Sequence, residues 1–311
     1  MASATTVLRR GIIICANPNN IQVKDRIKLL EGHHHVSLLS ATNRQAMMTD
    51  FQRSGWRKVG RGATFCFSWA TQIAYYANAP ISVSEPTATT TVTLVLQTIR
   101  ATTQAEMSLR KGQWTKGLEA TDDIRDLAVG IIGYGTIGRL VQKKLQALGV
   151  KKFFYHNRHR IPPEDENGAI YSSLDQLLSE SDLVTLHCPL TPDTRHILSD
   201  EQFAKMKHGA YIVNTSRGPV IDEEALVRAM KSGQILRVGL DVFENEPKVH
   251  PYLMTSERAT LLPNWGSKVK RVYYDVEHEC LDNLDTWLET GVPRTPVNKP
   301  TLPTNVSERF N

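Results

Sequence analysis

No apolar run in the 311-residue chain approaches the roughly 20 residues a membrane-spanning helix needs; the longest, such as GIIIC at 11–15, are strand-sized. A membrane protein is therefore not expected. There is no CxxC pair, and the four cysteines (Cys15, Cys66, Cys188, Cys280) lie far apart. That spacing fits reduced thiols in an intracellular protein better than a disulfide framework. No internal repeat or low-complexity segment is present, and no dense basic tract. The net charge of +5, from 37 Lys and Arg against 32 Asp and Glu, is scattered. Its densest piece, KKLQALGVKK at 143–152, falls at an expected helix end, where cations suit the dipole. A solvated face is the reading, with no nucleic-acid partner. The run His33-His34-His35 places adjacent side chains that diverge on helix or strand, so a helix-to-strand loop is expected there and no metal. Acids are missing from the first 24 residues, which carry Arg9, Arg10 and several Ser and Thr, faintly like a transit peptide. Strand-like GIIICA starts at Gly11 and leaves such a segment little room, so a cytoplasmic protein is expected.

What is present is alternation. The first 85 residues read as strands GIIICA, VSLLSA, ATFCFSW and ISVSE around a helix VKDRIKLLEGH. From Pro86, TATTTVTLVLQTIRATTQAEMSLRKGQW reads as one long helix ended by Gly112, followed by a polar connector, GLEATDDIRDL.

The most informative stretch is LAVGIIGYGTIGRLVQKKLQALGVKKFFYHNR. A strand-like AVGII runs into Gly133, Gly135 and Gly138 in GxGxxG spacing. A helix opens at Thr136 and Ile137, and KFFYH follows as a second strand. Strand, glycines, helix and strand at these distances point to a dinucleotide site. Gly133 allows the tight turn, Gly135 lets backbone approach a pyrophosphate, and Gly138 lets helix and strand pack closely. The helix N-terminus offers amide donors to the phosphates. The competing reading is a glycine-rich turn of an α/β domain that binds nothing. An NAD site would place Asp or Glu about 20 residues on, to accept from the ribose 2′-OH. Residues 152–160, KFFYHNRHR, contain no acid. Arg158, helped by Asn157, His159 or Arg160, suits a 2′-phosphate instead. NADP(H) is the expected cofactor, with NAD as second choice.

Alternation continues through LDQLLSESD, LVTLHCPLT, DEQFAKMKHG, AYIVNTSRG, DEEALVRAMKSGQI, LRVGLDV and ATLLPN. This pattern gives a parallel doubly wound sheet. HCPLT, NTSRG, DVFENEP and LPNWGS then sit at strand carboxyl ends, where ligands bind in such sheets.

GYGTIGR, HCPLTPDTRHIL, NTSRGPVIDEEALVRAMKSGQI and LDVFENEP together resemble the D-isomer-specific 2-hydroxyacid dehydrogenases, and SLRKGQW at 108–114 fits as well. HNR at 156–158 is most similar to fungal-type or plant-type glyoxylate/hydroxypyruvate reductases. The resemblance is strong from about Pro86 to Pro247. It implies a two-domain α/β protein: a Rossmann-type cofactor domain, 86–271, inserted into a smaller flavodoxin-like substrate domain, 1–85 plus 272–311. It also implies a homodimer that reduces a 2-oxo acid to a D-2-hydroxy acid. The family's substrate arginine falls on Arg217, whose planar guanidinium can grip a 2-oxo acid in fork geometry. Its catalytic carboxylate falls on Glu246, and Asp241 matches the aspartate that contacts the nicotinamide carboxamide. His187, Cys188, Pro189 and Thr194 match cofactor-wall positions, with His187 expected to pack rather than react. Thr215, Ser216 and Gly266 join the implied cofactor contacts. Glu244 is expected as a solvated neighbour.

Two departures stand out. The family's last strand ends in Pro-His-x-Gly, whose histidine passes the proton; here Pro263, Asn264, Trp265 and Gly266 fill the pattern. An amide can donate a hydrogen bond but cannot give up a proton near neutral pH. Water, Lys268 or His278 are the alternatives for a donor. Second, the family's glycine-type substrate loop should lie near 65–70, where the sequence reads FCFSWA. A backbone nest there needs φ > 0, which Phe67 and Trp69 resist. The second function that follows is an NADP-binding relative without turnover, a sensor or scaffold.

Overall fold

A computed structural model describes residues 11–16, 35–40, 64–68, 74–290 and 292–297. The expected helix at 23–33, His33, His34 and Trp69 lie outside the described residues. The chain divides into two compact units, Met1–Val83 with Val269–Asn311, and Ser84–Lys268. Among the described residues no helix is long and apolar enough to cross a membrane, and no cluster of His, Cys, Asp and Glu could hold a metal.

The smaller unit carries a four-stranded sheet of β1 (Gly11–Ala16), β2 (His35–Ser40), β3 (Thr64–Ser68) and β4 (Ala74–Asn78), in the order β2-β1-β3-β4. β1 and β2 run parallel, but β3 is antiparallel to both β1 and β4. A flavodoxin-like sheet would be parallel throughout. Only residues 69–73 separate β3 from β4, too few for a crossover helix, so the pair is antiparallel. His35 belongs to β2 rather than to a loop, and Phe65, Cys66 and Phe67 lie on β3, within the strand expected at ATFCFSW.

ISVSE, expected as a strand, lies inside a helix from Pro80 to Ile99. Proline opens that helix, where its missing N–H costs nothing. The buried carboxylate of Glu279, on the helix Lys270–Thr290, accepts from the amides of Ile81 (3.1 Å) and Ser82 (2.9 Å). A partner almost 200 residues away thus satisfies amides that every helix N-terminus leaves open. The single helix expected up to Gly112 is two. It breaks at Ala101, whose φ is 48°, and resumes as Thr102–Arg110.

The larger unit is built on a seven-stranded sheet. In chain order its strands are β5 (Ala128–Ile132), β6 (Lys152–His156), β7 (Ile170–Tyr171), β8 (Leu183–Leu186), β9 (Ala210–Asn214), β10 (Ile235–Leu240) and β11 (Ala259–Leu261). The spatial order is β11-β10-β9-β8-β5-β6-β7, and every pairing is parallel. The order reverses at β5/β8, the switch point where doubly wound sheets bind nucleotides. Alternate residues feed cores on opposite faces: Ala128, Ile132, Ala210 and Ile212 join one, and Val129, Ile131, Tyr211 and Val213 the other. Because the strands are parallel, the segments after them all emerge on one edge of this sheet.

Candidate active site

The glycine turn lies at that edge. Gly133 has φ +92°, and a Cβ there would come within 2.3 Å of the Cys188 amide nitrogen. Only glycine fits, because the turn presses against the backbone after β8. A Cβ on Gly138 would meet the Gly133 carbonyl at 2.8 Å and Ile131 Cγ2 at 3.0 Å, so this glycine sets the distance between helix and strand. Gly135, in contrast, faces open space: nothing lies within 4 Å of its would-be Cβ. It caps the helix Thr136–Ala147, whose first residue is exposed while Ile137 is half-buried against the core. The residue between the glycines, Tyr134, is buried and stacks on Tyr155 at 4.5 Å.

The Asn157 side chain locks this turn. Its Oδ1 accepts from the Tyr134 amide (2.7 Å), and its Nδ2 donates to the Tyr134 carbonyl (3.2 Å). The three basic groups beyond it have different surroundings. Arg158 and His159 are exposed, and among the described residues no hydrogen bond or ion pair engages the Arg158 guanidinium. Arg160 is committed to Glu166, at 2.7 and 3.0 Å, and Tyr155 donates to the same carboxylate at 2.6 Å. Arg160 and Tyr155 hold the Glu166 carboxyl down at about 2. Stability from this network is present above the ordinary carboxylate pKa and is lost as the pH falls toward 2. The difference in thermal stability between wild type and Glu166→Gln should therefore be full above about pH 5, shrink as the pH falls, and vanish only near pH 2. Equal separation at all pH values would contradict this.

After β8, the His187 Nε2 lies 3.0 Å from Thr185 Oγ1, while its Nδ1 is buried without a hydrogen-bond partner. Burial pushes the imidazole down to about 3, so it is neutral at physiological pH. Thr194 closes the following loop: its hydroxyl donates to the Pro189 carbonyl at 2.6 Å and accepts from the Thr191 amide at 2.8 Å.

After β9, Asn214 organises the turn that presents Arg217. Its Oδ1 accepts from the Ser216 amide (2.9 Å) and hydroxyl (2.8 Å), and its Nδ2 donates to the Arg217 carbonyl (3.0 Å). This is an Asx-type turn. Thr215 is fixed by a 2.8 Å contact with Thr91 Oγ1 on the helix Pro80–Ile99. The Arg217 side chain is exposed at the end of the turn, with Nη1 donating to the Ser216 carbonyl at 2.6 Å.

Asp241 and the segment after β11 form one assembly. Asp241 is buried, and its carboxylate accepts from the amides of Trp265 (2.6 Å) and Gly266 (2.9 Å). Its carbonyl accepts from the Asn264 amide at 2.8 Å. Burial raises the Asp241 pKa, the two amides oppose that rise, and the nearby Glu246 charge adds to it. A Cβ on Gly266 would come within 3.0 Å of Asp241 Oδ2. Asn264 is exposed with φ 56°, a left-handed conformation that asparagine tolerates well. Lys268, one of the alternative donors, is exposed, and its amide donates to the Trp265 carbonyl at 3.0 Å. The His278 ring lies 4.1 Å from that of Tyr274, with Nε2 buried and without a hydrogen-bond partner.

Glu246 is half-buried, and its Oε1 accepts from the Phe243 amide at 3.3 Å. Glu244 is not the solvated neighbour expected. Its carboxylate meets His196 Nε2 at 2.6 Å and Arg195 at 3.3 Å. Sequence patterning also passed over Asn214, Tyr134 and Glu223. Asparagine two residues before serine was a readable turn signal; nothing local marked the other two.

Residues 92–266, just over half of the chain, match the family model described as D-isomer specific 2-hydroxyacid dehydrogenase, NAD binding domain. A Schizosaccharomyces pombe protein provisionally named a 2-hydroxyacid dehydrogenase is 42% identical over 235 residues, covering 75% of this chain and 69% of that one. The 4-methyl-2-oxopentanoate reductase A of Aspergillus oryzae is 40% identical over 215 residues, covering 69% of this chain but 65% of its own length. Among solved structures, a glyoxylate reductase from Paecilomyes thermophila superposes with a TM-score of 0.79 at 29% identity, covering 92% of this chain and 98% of that one.

Proposed function

The chain belongs to the D-isomer specific 2-hydroxyacid dehydrogenase family of NAD(P)-dependent oxidoreductases, and we propose that it reduces a 2-oxo acid to a D-2-hydroxy acid, with NADPH as preferred donor. The observation that carries this reading is the shared sheet edge. Arg217, Asp241, Glu246 and Asn264 follow three strands of the same parallel sheet whose switch point holds the glycine turn. Open space at Gly135 and the tight fit at Gly133 suit a bound pyrophosphate. The cofactor, when bound, supplies the hydride. In this proposal the Arg217 guanidinium grips the substrate carboxylate and polarises the ketone. Asn264 donates an amide hydrogen bond to the carbonyl oxygen, and the proton that completes the hydroxyl comes from solvent water. Asp241 receives the carboxamide end of the nicotinamide, and Glu246 supplies negative charge beside it. His187, Cys188, Pro189, Thr194, Thr215 and Ser216 make the wall of the cofactor cleft.

The similar reductases of glyoxylate and 4-methyl-2-oxopentanoate define the substrate panel. NADPH oxidation in the presence of glyoxylate, hydroxypyruvate and 4-methyl-2-oxopentanoate tests the reading; it fails if the protein binds NADPH and none of these acids is reduced. That result would establish the second reading, a nucleotide-binding relative without turnover, which the amide at Asn264 favours.

NADPH preference rests on Arg158, exposed and uncommitted beside the end of β6, with Arg160 held by Glu166. A charge-assisted hydrogen bond contributes about 1.5–3 kcal/mol. Arg158→Ala should therefore weaken NADPH binding about 10- to 100-fold and leave NADH binding nearly unchanged. Tighter NADH than NADPH binding by wild type would remove the role given to Arg158. The family resemblance also supports a homodimer, which light scattering would size.

A further inference from the structure

The loop bearing Glu246 needs an explanation for its order. Residues 242–250 lie between β10 and the helix Pro251–Thr255, with one isolated bridge, Asn245 to Lys248, as their own regular pairing among the described residues. A loop with so little internal bonding is held from outside or not at all. We propose that Glu223 is a positioning residue that fixes this loop, and with it Glu246, relative to Arg217; the inference rests on the reductase reading.

The two Glu223 carboxylate oxygens accept from two amides that flank Glu246. Oε2 takes the Glu244 amide at 3.1 Å, and Oε1 takes the His250 amide at 3.0 Å. The bonding is reciprocal, because the Glu223 amide donates to Glu244 Oε2 at 3.3 Å. Glu223 is not needed to cap its own helix, Glu223–Ser232. Asp222 does that, accepting from the Ala225 amide at 2.9 Å. Two carboxylates this close repel unless each is engaged. Here Glu223 is met by amides, and Glu244 also by His196 and Arg195. His196 belongs to a segment zipped to the Arg217 turn: its amide donates to the Pro219 carbonyl at 2.9 Å, and Leu198 bridges Ile221.

The same loop is pressed against the neighbour of Arg217. A Cβ on Gly218 would lie 1.8 Å from the Phe243 carbonyl oxygen and 2.5 Å from the Glu244 nitrogen. The backbones that carry the two acting side chains therefore touch at Gly218, and Glu223 clamps the free side of one of them. Releasing that clamp lets Glu246 move without disturbing the glycine turn, which lies after a different strand. A loss of alignment of about 1 Å can cost about 100-fold in rate.

Glu223→Ala and Glu223→Gln are compared with wild type in three measurements: steady-state reduction of a 2-oxo acid, NADPH binding, and amide hydrogen exchange. In Glu223→Ala, kcat should fall about 10- to 100-fold while KM and the NADPH Kd stay within about twofold. Exchange should quicken in 243–250 and stay unchanged in 128–147. Gln keeps one acceptor oxygen, so Glu223→Gln should recover part of both effects. An unchanged kcat together with unchanged loop exchange overturns the proposal. So does a loss of NADPH binding and exchange protection throughout the unit, which marks a general structural role. If wild type reduces no acid, the reductase reading falls, and loop exchange alone decides whether Glu223 is a clamp.

Discussion

Asn264→His should raise kcat for 2-oxo-acid reduction by about 100- to 10,000-fold, the range that a positioned general acid contributes. In the proposed reaction wild type offers the ketone oxygen an amide N–H, which orients and polarises but leaves the proton to come from water. An imidazolium would deliver it directly, so the variant's rate should also acquire a dependence on a group titrating near pH 6.5. The backbone is ready for this exchange. Asn264 sits at φ 56°, and histidine, like asparagine, is enriched in that region among non-glycine residues. The turn itself is held by Asp241 through the amides of residues 264, 265 and 266, and amides are indifferent to the side chain. Folding stability should therefore change by less than about 1 kcal/mol. A variant that folds normally, binds NADPH and gains no rate would show that proton delivery is not the missing step.

Arg217→Lys is the second large effect. The positive charge survives, but the planar fork that matches a carboxylate does not. The ammonium would have to serve carboxylate and ketone from one point. Losing one of the two charge-assisted hydrogen bonds of the fork costs about 1.5–3 kcal/mol, which lowers kcat/KM roughly 10- to 150-fold. Because Asn214 shapes the turn through backbone atoms of 216 and 217, the substitution should leave that turn intact. A fall of less than about threefold would place the substrate carboxylate elsewhere.

The larger unit was legible in the sequence because its signals are local. AVGII, three glycines and KFFYH occupy about thirty consecutive residues, and the geometry at Gly133 and Gly138 follows from contacts within that motif and the adjoining β8. The misread elements have distant causes. ISVSE has a strand-like alternation, yet Glu279 caps it into a helix from the far end of the chain. β4 was passed over because its pairing with β3 depends on a short connection rather than on a strong pattern. Glu244 looked like one more acid in DVFENEP, and only the fold brings it to His196 and Glu223. Asn264 shows the opposite: its chemistry was readable in LLPNWGS, while the left-handed turn and its attachment to Asp241 were not.

The most direct measurement is a single incubation of the purified protein with NADPH and 4-methyl-2-oxopentanoate or glyoxylate. Loss of NADPH absorbance is followed, and for the branched acid the product is resolved on a chiral column. Oxidation of one NADPH per 2-hydroxy acid formed, with the D enantiomer alone for the branched acid, is the predicted result. Tight NADPH binding with no product from either acid, or formation of the L enantiomer, would contradict the assignment of Arg217, Glu246 and Asn264 to a D-specific reductase site.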